Sequence, residues 1–155
     1  LSEIPLDHES EDVHGALTRT LISEGFDIKI SDRDTGLVTT EFLQIDSSRG
    51  SPPFDWLLQL RCVLAPAAAT VQVKPTVRES NRVNPSAYTE YAVLELDRIE
   101  GSANEIGQKR VKMLAVMASR YSEVIGALAR AVGGTPESVK HTGESVELTV
   151  SLYPK

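Results

Sequence analysis

The sequence has little of what several classes of protein require. A single cysteine, Cys62, excludes an intrachain disulfide and a thiolate metal cluster. No apolar run approaches the roughly 20 residues that cross a membrane as a helix. Lysine and arginine total 16 against 22 aspartates and glutamates, which gives a net charge of −6. This balance argues against binding of nucleic acid or of an anionic membrane surface, because both need a basic face.

What is present is an ordinary globular composition. The 155 residues are 41% hydrophobic and 25% charged, which is typical of one domain with a single core. Residues 1–10 contain proline and several acids, so we expect a flexible lead-in before a single α+β domain over residues 11–155. The chain begins at Leu1 and not at methionine. This suits a processed form as well as a cloning choice, so a preceding signal peptide or lipid anchor stays open.

The first third of the chain has the pattern of a short helix that leads directly into a β-hairpin. Apolar side chains at helical spacing predict a helix over residues 11–24. Gly25 is its predicted left-handed C′ residue, and Phe26 should pack back on Leu21. The hairpin then consists of a strand, a turn and a strand over residues 26–31, 32–36 and 37–42, the last with Val38, Thr40 and Phe42 on one face.

The strongest strand signal lies over residues 54–64. All its even-numbered positions are apolar or thiol, and they are Phe54, Trp56, Leu58, Leu60, Cys62 and Leu64. Polar residues such as Arg61 lie between them, which is the period of a strand with one buried face. Trp56 is therefore a predicted core residue, and Cys62 is predicted to be a buried structural thiol and not a reactive one.

Valines that alternate with polar residues predict an answering strand over residues 71–78. Pro75 lies inside it, and because proline cannot donate to a strand ladder, we expect this strand at a sheet edge or with a bulge. A polar loop follows over residues 80–87. Residues 88–96 fit a short strand, with a helical start as the alternative.

A long helix is predicted over residues 103–132. Its apolar residues recur at steps of three and four, and they are Val111, Leu114, Ala118, Tyr121, Ile125, Leu128 and Val132. Gly133 should end the helix, and a break near Ser119 or Ser122 is the alternative to a continuous one. Alternation over residues 146–152 predicts a final strand. The fold class is then a two-layer α+β sandwich, in which an antiparallel sheet packs on a long C-terminal helix.

The long helix carries more apolar surface than one narrow stripe. This surface is core if the helix lies between the sheet and the first helix. Alternatively, one side docks a partner or a second copy of the chain, since methionine-rich surface is common at adaptable interfaces. The predicted partner-binding residues are Met113, Val116, Met117 and Tyr121. If that side belongs to the core, the turn 32–36 and the loop 80–87 become the candidate binding sites.

Catalytic and metal-binding patterns are scarce. His8 and His14 are six positions apart, whereas helical metal ligands need i, i+4 spacing, so a solvated acidic lead-in explains them better. The segment 32–36 is similar to the start of a calcium loop but lacks its later acids, and a hairpin turn explains it better. No nucleophile elbow and no phosphate-binding glycine loop are present. We predict no catalytic residue, no cofactor, no metal and a non-enzymatic function.

One pattern in the sequence resembles a known family. It consists of Ala16-Leu17, Gly25-Phe26-Asp27-Ile28, Asp32, Asp34 and Gly36-Leu37-Val38-Thr39-Thr40. It is similar to the helix-then-hairpin opening of the lipoprotein C subunit of the bacterial outer-membrane β-barrel assembly machine and of related small envelope lipoproteins. The similarity extends over residues 13–78. It implies a helix-grip domain, in which an antiparallel sheet holds a long helix, and an envelope-facing, protein-binding accessory role.

Two functions follow as hypotheses. The first is a non-enzymatic interaction module of the cell envelope, periplasmic or outer-membrane-associated, such as the soluble domain of a lipoprotein. Its partner is then an envelope protein or a second copy of the chain. The alternative is a carrier of a small apolar ligand or lipid, held in a cavity between Trp56, Leu60 and the side of the long helix that carries Met113 and Met117.

Overall fold

The computed structural model describes residues 2–5, 13–48, 53–65, 70–91 and 105–141. Within these ranges the chain forms two helices, α1 (Val13–Ser23) and α2 (Glu105–Ala131), and a short 3₁₀ helix at Pro136–Ser138. The strands are β1 (Ser2–Pro5), β2 (Ile28–Asp32), β3 (Leu37–Thr40), β4 (Leu43–Ser48), β5 (Phe54–Ala65), β6 (Thr70–Asn81), β7 (Tyr88–Tyr91) and β8 (Lys140–His141). Neither described helix is long and apolar enough to span a membrane.

The described strands form one antiparallel sheet with the order β2-β3-β5-β6-β1-β8. Its centre is the long hairpin of β5 and β6, in which Phe54 stands opposite Asn81 and Ala65 opposite Thr70. The outer side of β5 pairs with β3 near one end and with β4 near the other. The outer side of β6 pairs with β1 and β7 in the same way. Two short strands therefore flank each long central strand.

Both helices contribute to one hydrophobic core on a single face of this sheet. Alternate residues of β5 and β6 are buried there together with apolar residues of α1 and α2. The core includes Leu17, Leu21, Trp56, Leu58, Leu60, Val73, Val77, Leu114, Met117 and Leu128. The predicted α+β architecture, an antiparallel sheet packed on a long C-terminal helix, is confirmed.

The glycine predicted to end the first helix does so by the expected geometry. Gly25 has a φ of 98°. Its amide donates to the carbonyl of Ile22 at 3.0 Å, and the amide of Phe26 donates to the carbonyl of Leu21 at 3.0 Å. This pair of bonds is a Schellman motif, which satisfies carbonyls that the helix itself leaves free. Gly133, with a φ of 86°, follows α2 in the same conformation.

The segment 32–36 is a hairpin turn, as predicted. The carboxylate of Asp32 accepts a hydrogen bond from the amide of Asp34 at 3.0 Å, which closes a local Asx turn. Gly36 has a φ of 71°, and a Cβ at this position would lie 2.9 Å from the Cβ of Leu64. Glycine is thus required twice here, by the left-handed backbone and by the close approach of β5.

Pro75 lies in the centre of the sheet and not on an edge strand. The amide of Leu60, the residue opposite it, donates to the Thr40 hydroxyl on the far side of β5. Leu60 and Pro75 are therefore a non-hydrogen-bonded pair, and the proline nitrogen points away from β5. On that side β1 pairs only as far as Val73, and β7 begins to pair at Val77. Among the described residues the proline therefore lies between the two flanking strands, and its missing amide costs no ladder bond there.

Several boundaries differ from the sequence predictions. Residues Ser2–Pro5, expected within the flexible lead-in, form β1, because pairing with β6 places Ile4 in the core. Strand β4 was not predicted, although Leu43 and Ile45 alternate with polar residues and pack against the core. The ambiguous segment after residue 87 begins as a strand, β7, and α2 is continuous. The predicted strand 146–152 lies outside the described residues.

Cys62 is buried in the core as predicted, and this has a measurable consequence. Burial raises the pKa of its thiol from 9.0 to about 12, which lowers the thiolate fraction at pH 8 by about a thousandfold. We expect an aromatic disulfide reagent to label the native protein at pH 8 at least a hundred times more slowly than the urea-unfolded chain. Native labelling at the unfolded rate would contradict a buried thiol.

Candidate interaction surface

The predicted partner-binding residues of the long helix do not share one environment. Met117 and Tyr121 are buried in the core, and the Tyr121 hydroxyl lies 2.7 Å from the hydroxyl of Ser2. Met113 is half-buried and packs against the core, whereas Val116 is 39% exposed. The helix therefore turns most of this set toward the sheet. Burial of Met117 and Tyr121 removes both from any surface that a partner can reach in this conformation.

A different surface stands out on the face of the sheet opposite the helices. The guanidinium of Arg78 lies between two aromatic rings, 4.0 Å from the ring centre of Phe42 and 4.3 Å from that of Tyr88. Its Nε and Nη2 atoms donate to one carboxylate oxygen of Glu90 at 3.1 and 2.6 Å. We call Phe42, Arg78, Tyr88 and Glu90 the aromatic–arginine cluster.

The strands explain how these four side chains meet. Arg78 stands opposite Glu90 in the pairing of β6 with β7, and Tyr88 is two residues before Glu90 on the same face. Phe42 lies in the break between β3 and β4. Simple alternation predicts Phe42 on the same face as Val38, which is buried. The break at residues 41–42 reverses this phase and brings the ring onto Arg78.

The loop of residues 82–87 between β6 and β7 extends this surface with an exposed apolar side chain. Val83 is 81% exposed and Tyr88 is 51% exposed. The loop backbone is nevertheless held in place, because the side-chain oxygen of Asn81 accepts from the amides of Val83 and Asn84 at 2.9 and 3.2 Å. The amide of Ala87 donates to the carbonyl of Asn84 at 2.9 Å. An ordered loop therefore presents Val83 to solvent.

A second polar cluster lies inside the protein. Glu79 is only 2% exposed, and its carboxylate accepts a hydrogen bond from Nε of Arg110 on α2 at 2.9 Å. The ring of Trp56, opposite Glu79 in the sheet, stacks on Tyr91 with 6.2 Å between ring centres. Burial, and then the charge of Glu79, raise the pKa of Tyr91, while Arg110 acts in the opposite direction. The ion pair between Glu79 and Arg110 connects α2 to the sheet.

The strand signal would have located Glu79 if the predicted strand had been longer. Its position is in phase with the buried Val73 and Val77, but the predicted strand stopped at residue 78. The residues that the carrier hypothesis places around a cavity, Trp56, Leu60 and Met117, all lie in the packed core. Within the described ranges the indole nitrogen of Trp56 is a buried donor without an acceptor.

In the described part of the chain, the side chain of His14 has a hydrogen-bond partner. Its Nε2 lies 2.8 Å from the hydroxyl of Ser31, which joins α1 to β2. This is the distance of a nucleophile and its base. In the described part of the chain no group bonds to Nδ1 of His14, so nothing orients the ring for catalysis. No three metal-ligating side chains lie together in the described ranges, and His8 lies outside them.

Comparisons of the chain with protein-family models, with curated proteins and with solved structures gave no match in any of the three. The interpretation of the surface therefore rests on its own geometry. That geometry joins aromatic rings, a stacked guanidinium and an exposed valine on an ordered loop. Of these, the aromatic rings and the arginine are side-chain types enriched where proteins bind each other.

Proposed function

We propose that this protein is a non-enzymatic interaction domain that binds a partner protein through the open face of its sheet. The contact surface consists of Val83 and the aromatic–arginine cluster. The observation that carries the proposal is the 81% exposure of Val83 on a hydrogen-bonded loop that leads into the half-exposed Tyr88. Burial of a solvent-exposed apolar side chain by a partner lowers the free energy of the complex.

The cluster is also suited to binding because it is already ordered. Arg78 is held by a ring on each side and by Glu90, and no rearrangement is needed before a partner packs on the exposed edge of Tyr88. Binding loses less side-chain entropy when the contact residues are fixed in advance. Arginine and tyrosine are among the residues that contribute most to binding energy at protein interfaces.

The cellular setting is part of the same proposal. The similarity of residues 13–78 to the lipoprotein C subunit supports a place in the bacterial envelope, in the periplasm or at the outer membrane. The partner is then an envelope protein or a second copy of this chain. The helix surface around Val116 is the competing site from the sequence, and the test must distinguish the two surfaces.

Site-specific photo-crosslinking makes that distinction. A benzophenone amino acid placed at Val83 is expected to crosslink a defined partner in an envelope extract of the source organism. The same group at Val116 on α2, or at the exposed Ile22 on α1, should give no such adduct. Mass spectrometry of the adduct identifies the partner or reveals a second copy of the chain. Adducts at Val116 but not at Val83 would place the interface on the helix and refute this surface.

A substitution then measures the contribution of the cluster. Tyr88→Ala is expected to weaken binding of the crosslinked partner by about 10- to 100-fold, because it removes a central aromatic contact. The side chain is half-exposed, so thermal unfolding of the variant should stay close to that of the wild type. Ile22→Ala, on the opposite layer, is the matched control and should bind normally. Unchanged affinity in Tyr88→Ala would contradict the proposal.

A further inference from the structure

Two cations stand directly opposite each other on the same open face of the sheet. Arg61 of β5 pairs in register with Lys74 of β6. Their neighbours Leu60, Cys62 and Val73 are buried in the core, so alternation places both cations on the other face, where they are exposed. Neither cation forms an ion pair with any described residue.

This arrangement is unfavourable for the isolated domain. Like charges directly opposite on neighbouring strands destabilise a sheet, whereas opposite charges stabilise it. The chain has 22 acidic residues and a net charge of −6, whereas these two neighbouring residues are both positively charged. Glu3 of β1 stands opposite Gln72, diagonal to Lys74, and is not within ion-pair distance of it. By contrast, Arg78 and Arg82 each pair with a carboxylate of the described residues, Glu90 and Asp55 respectively.

The cation pair and the proposed contact surface lie along one strand. Lys74 and Arg78 are four residues apart on the same face of β6, which corresponds to roughly 13 Å. An extended segment of four to six residues that follows β6 therefore reaches both the cation pair and the aromatic–arginine cluster. Such a segment would place one side chain between Arg61 and Lys74 and another beside Tyr88, which contacts Arg78.

We propose that the partner is an acidic segment of protein chain, in which a carboxylate binds between Arg61 and Lys74 and an apolar side chain covers Tyr88. This inference rests on the proposed function and adds the chemistry of the partner. A carboxylate accepts two parallel hydrogen bonds from a guanidinium and neutralises the repulsion between the two cations. Two cations suit one or two carboxylates, whereas nucleic acid and anionic membranes require a larger basic face.

The test is a selection in which the partner sequence is not assumed. A library of random extended peptides displayed on phage is selected on the wild-type domain, and the bound peptides are sequenced. We expect enrichment of aspartate or glutamate four to six positions from an apolar residue. The selected peptides should lose at least tenfold in affinity for Arg61→Glu. Lys112→Glu, a charge reversal at an exposed site on α2, is the matched control and should bind them normally.

Thermal unfolding supplies a second readout that a misfolded variant cannot imitate. Arg61→Glu converts the repulsive pair into an attractive one with Lys74, so its Tm should rise by about 1–3 °C while binding is lost. A variant that loses binding because it is damaged would show a lower Tm. A rise in Tm with loss of binding is the specific signature of a pair that favours binding over stability.

The outcomes separate the two proposals. Selected peptides without an excess of acids, or acidic peptides that bind Arg61→Glu as well as the wild type, overturn the inference. If those peptides still fail to bind Tyr88→Ala, the proposed surface stands and only the partner chemistry is wrong. Peptides indifferent to both Arg61 and Tyr88 overturn both. Binding of phosphatidylglycerol vesicles that is lost in Arg61→Glu, with no peptide selected, would assign the cations to a membrane and also overturn the inference.

Discussion

Replacement of Trp56 by alanine is expected to lower the free energy of unfolding by about 3–5 kcal/mol, which is the usual cost of removing a fully buried large aromatic side chain. Trp56 is almost completely buried at the centre of the core, in the strand that pairs with three others. The substitution also removes the stacking on Tyr91, which contributes about 0.5–1.5 kcal/mol beyond area burial. Urea unfolding followed by circular dichroism measures the loss.

Trp56→Phe is the matched control for this prediction. It retains most of the ring surface and removes the indole nitrogen, which is buried without an acceptor within the described residues. A buried donor without a partner costs about 1–3 kcal/mol, so its removal offsets part of the lost packing. We therefore expect Trp56→Phe to be clearly more stable than Trp56→Ala. Equal losses in both variants would contradict the assignment of the effect to lost ring packing.

Replacement of Arg110 by alanine is expected to lower the free energy of unfolding by about 2–4 kcal/mol. The substitution leaves the carboxylate of Glu79 buried without its cation, and a broken buried ion pair typically costs 3–5 kcal/mol. We expect somewhat less than the upper value, because the Arg110 side chain is 38% exposed and water can partly replace it. The loss is measured by urea unfolding at pH 7.

A double variant distinguishes two effects of Arg110→Ala: the loss of the attraction to Glu79, and the cost of leaving the Glu79 carboxylate buried without a counter-charge. The double variant Arg110→Met/Glu79→Leu removes both charges together, and it should recover most of the stability that Arg110→Ala loses. Arg82→Ala, which breaks the exposed pair with Asp55, is the control and should cost less than about 1 kcal/mol. A double variant as unstable as Arg110→Ala would mean that Arg110 acts through packing of its aliphatic stem.

The helix ends and the strand over residues 54–64 could be predicted from the sequence, because each depends only on neighbouring residues. Gly25 and Gly133 end their helices through a left-handed backbone that glycine adopts without steric cost. The alternation in residues 54–64 identified a strand with one buried face, and Cys62 lies on that face. Each of these inferences needs only neighbouring residues, so the sequence carries the whole cause.

The candidate surface could not be read in the same way. Phe42 reaches Arg78 only because the chain breaks phase between β3 and β4, and the partner strand β5 decides where that break falls. Val83 lies in a loop that the sequence marked as a candidate, but its exposure depends on the bonds that hold the loop. For Met117 and Tyr121 the sequence left two interpretations open, core and partner-binding surface, and the structure places both in the core.

Hydrophobic periodicity and glycine conformation act over a few residues, so the helices, the long central strands, the layer architecture and the buried thiol could be predicted from the sequence. Three other features emerged only from the folded structure: Ser2–Pro5 is a strand, Pro75 lies between two described flanking strands, and Glu79 is buried with Arg110. The folded structure also placed two cations opposite each other beside the aromatic–arginine cluster. These features are pairings between residues distant in the chain, so they contribute to stability only once the sheet has assembled.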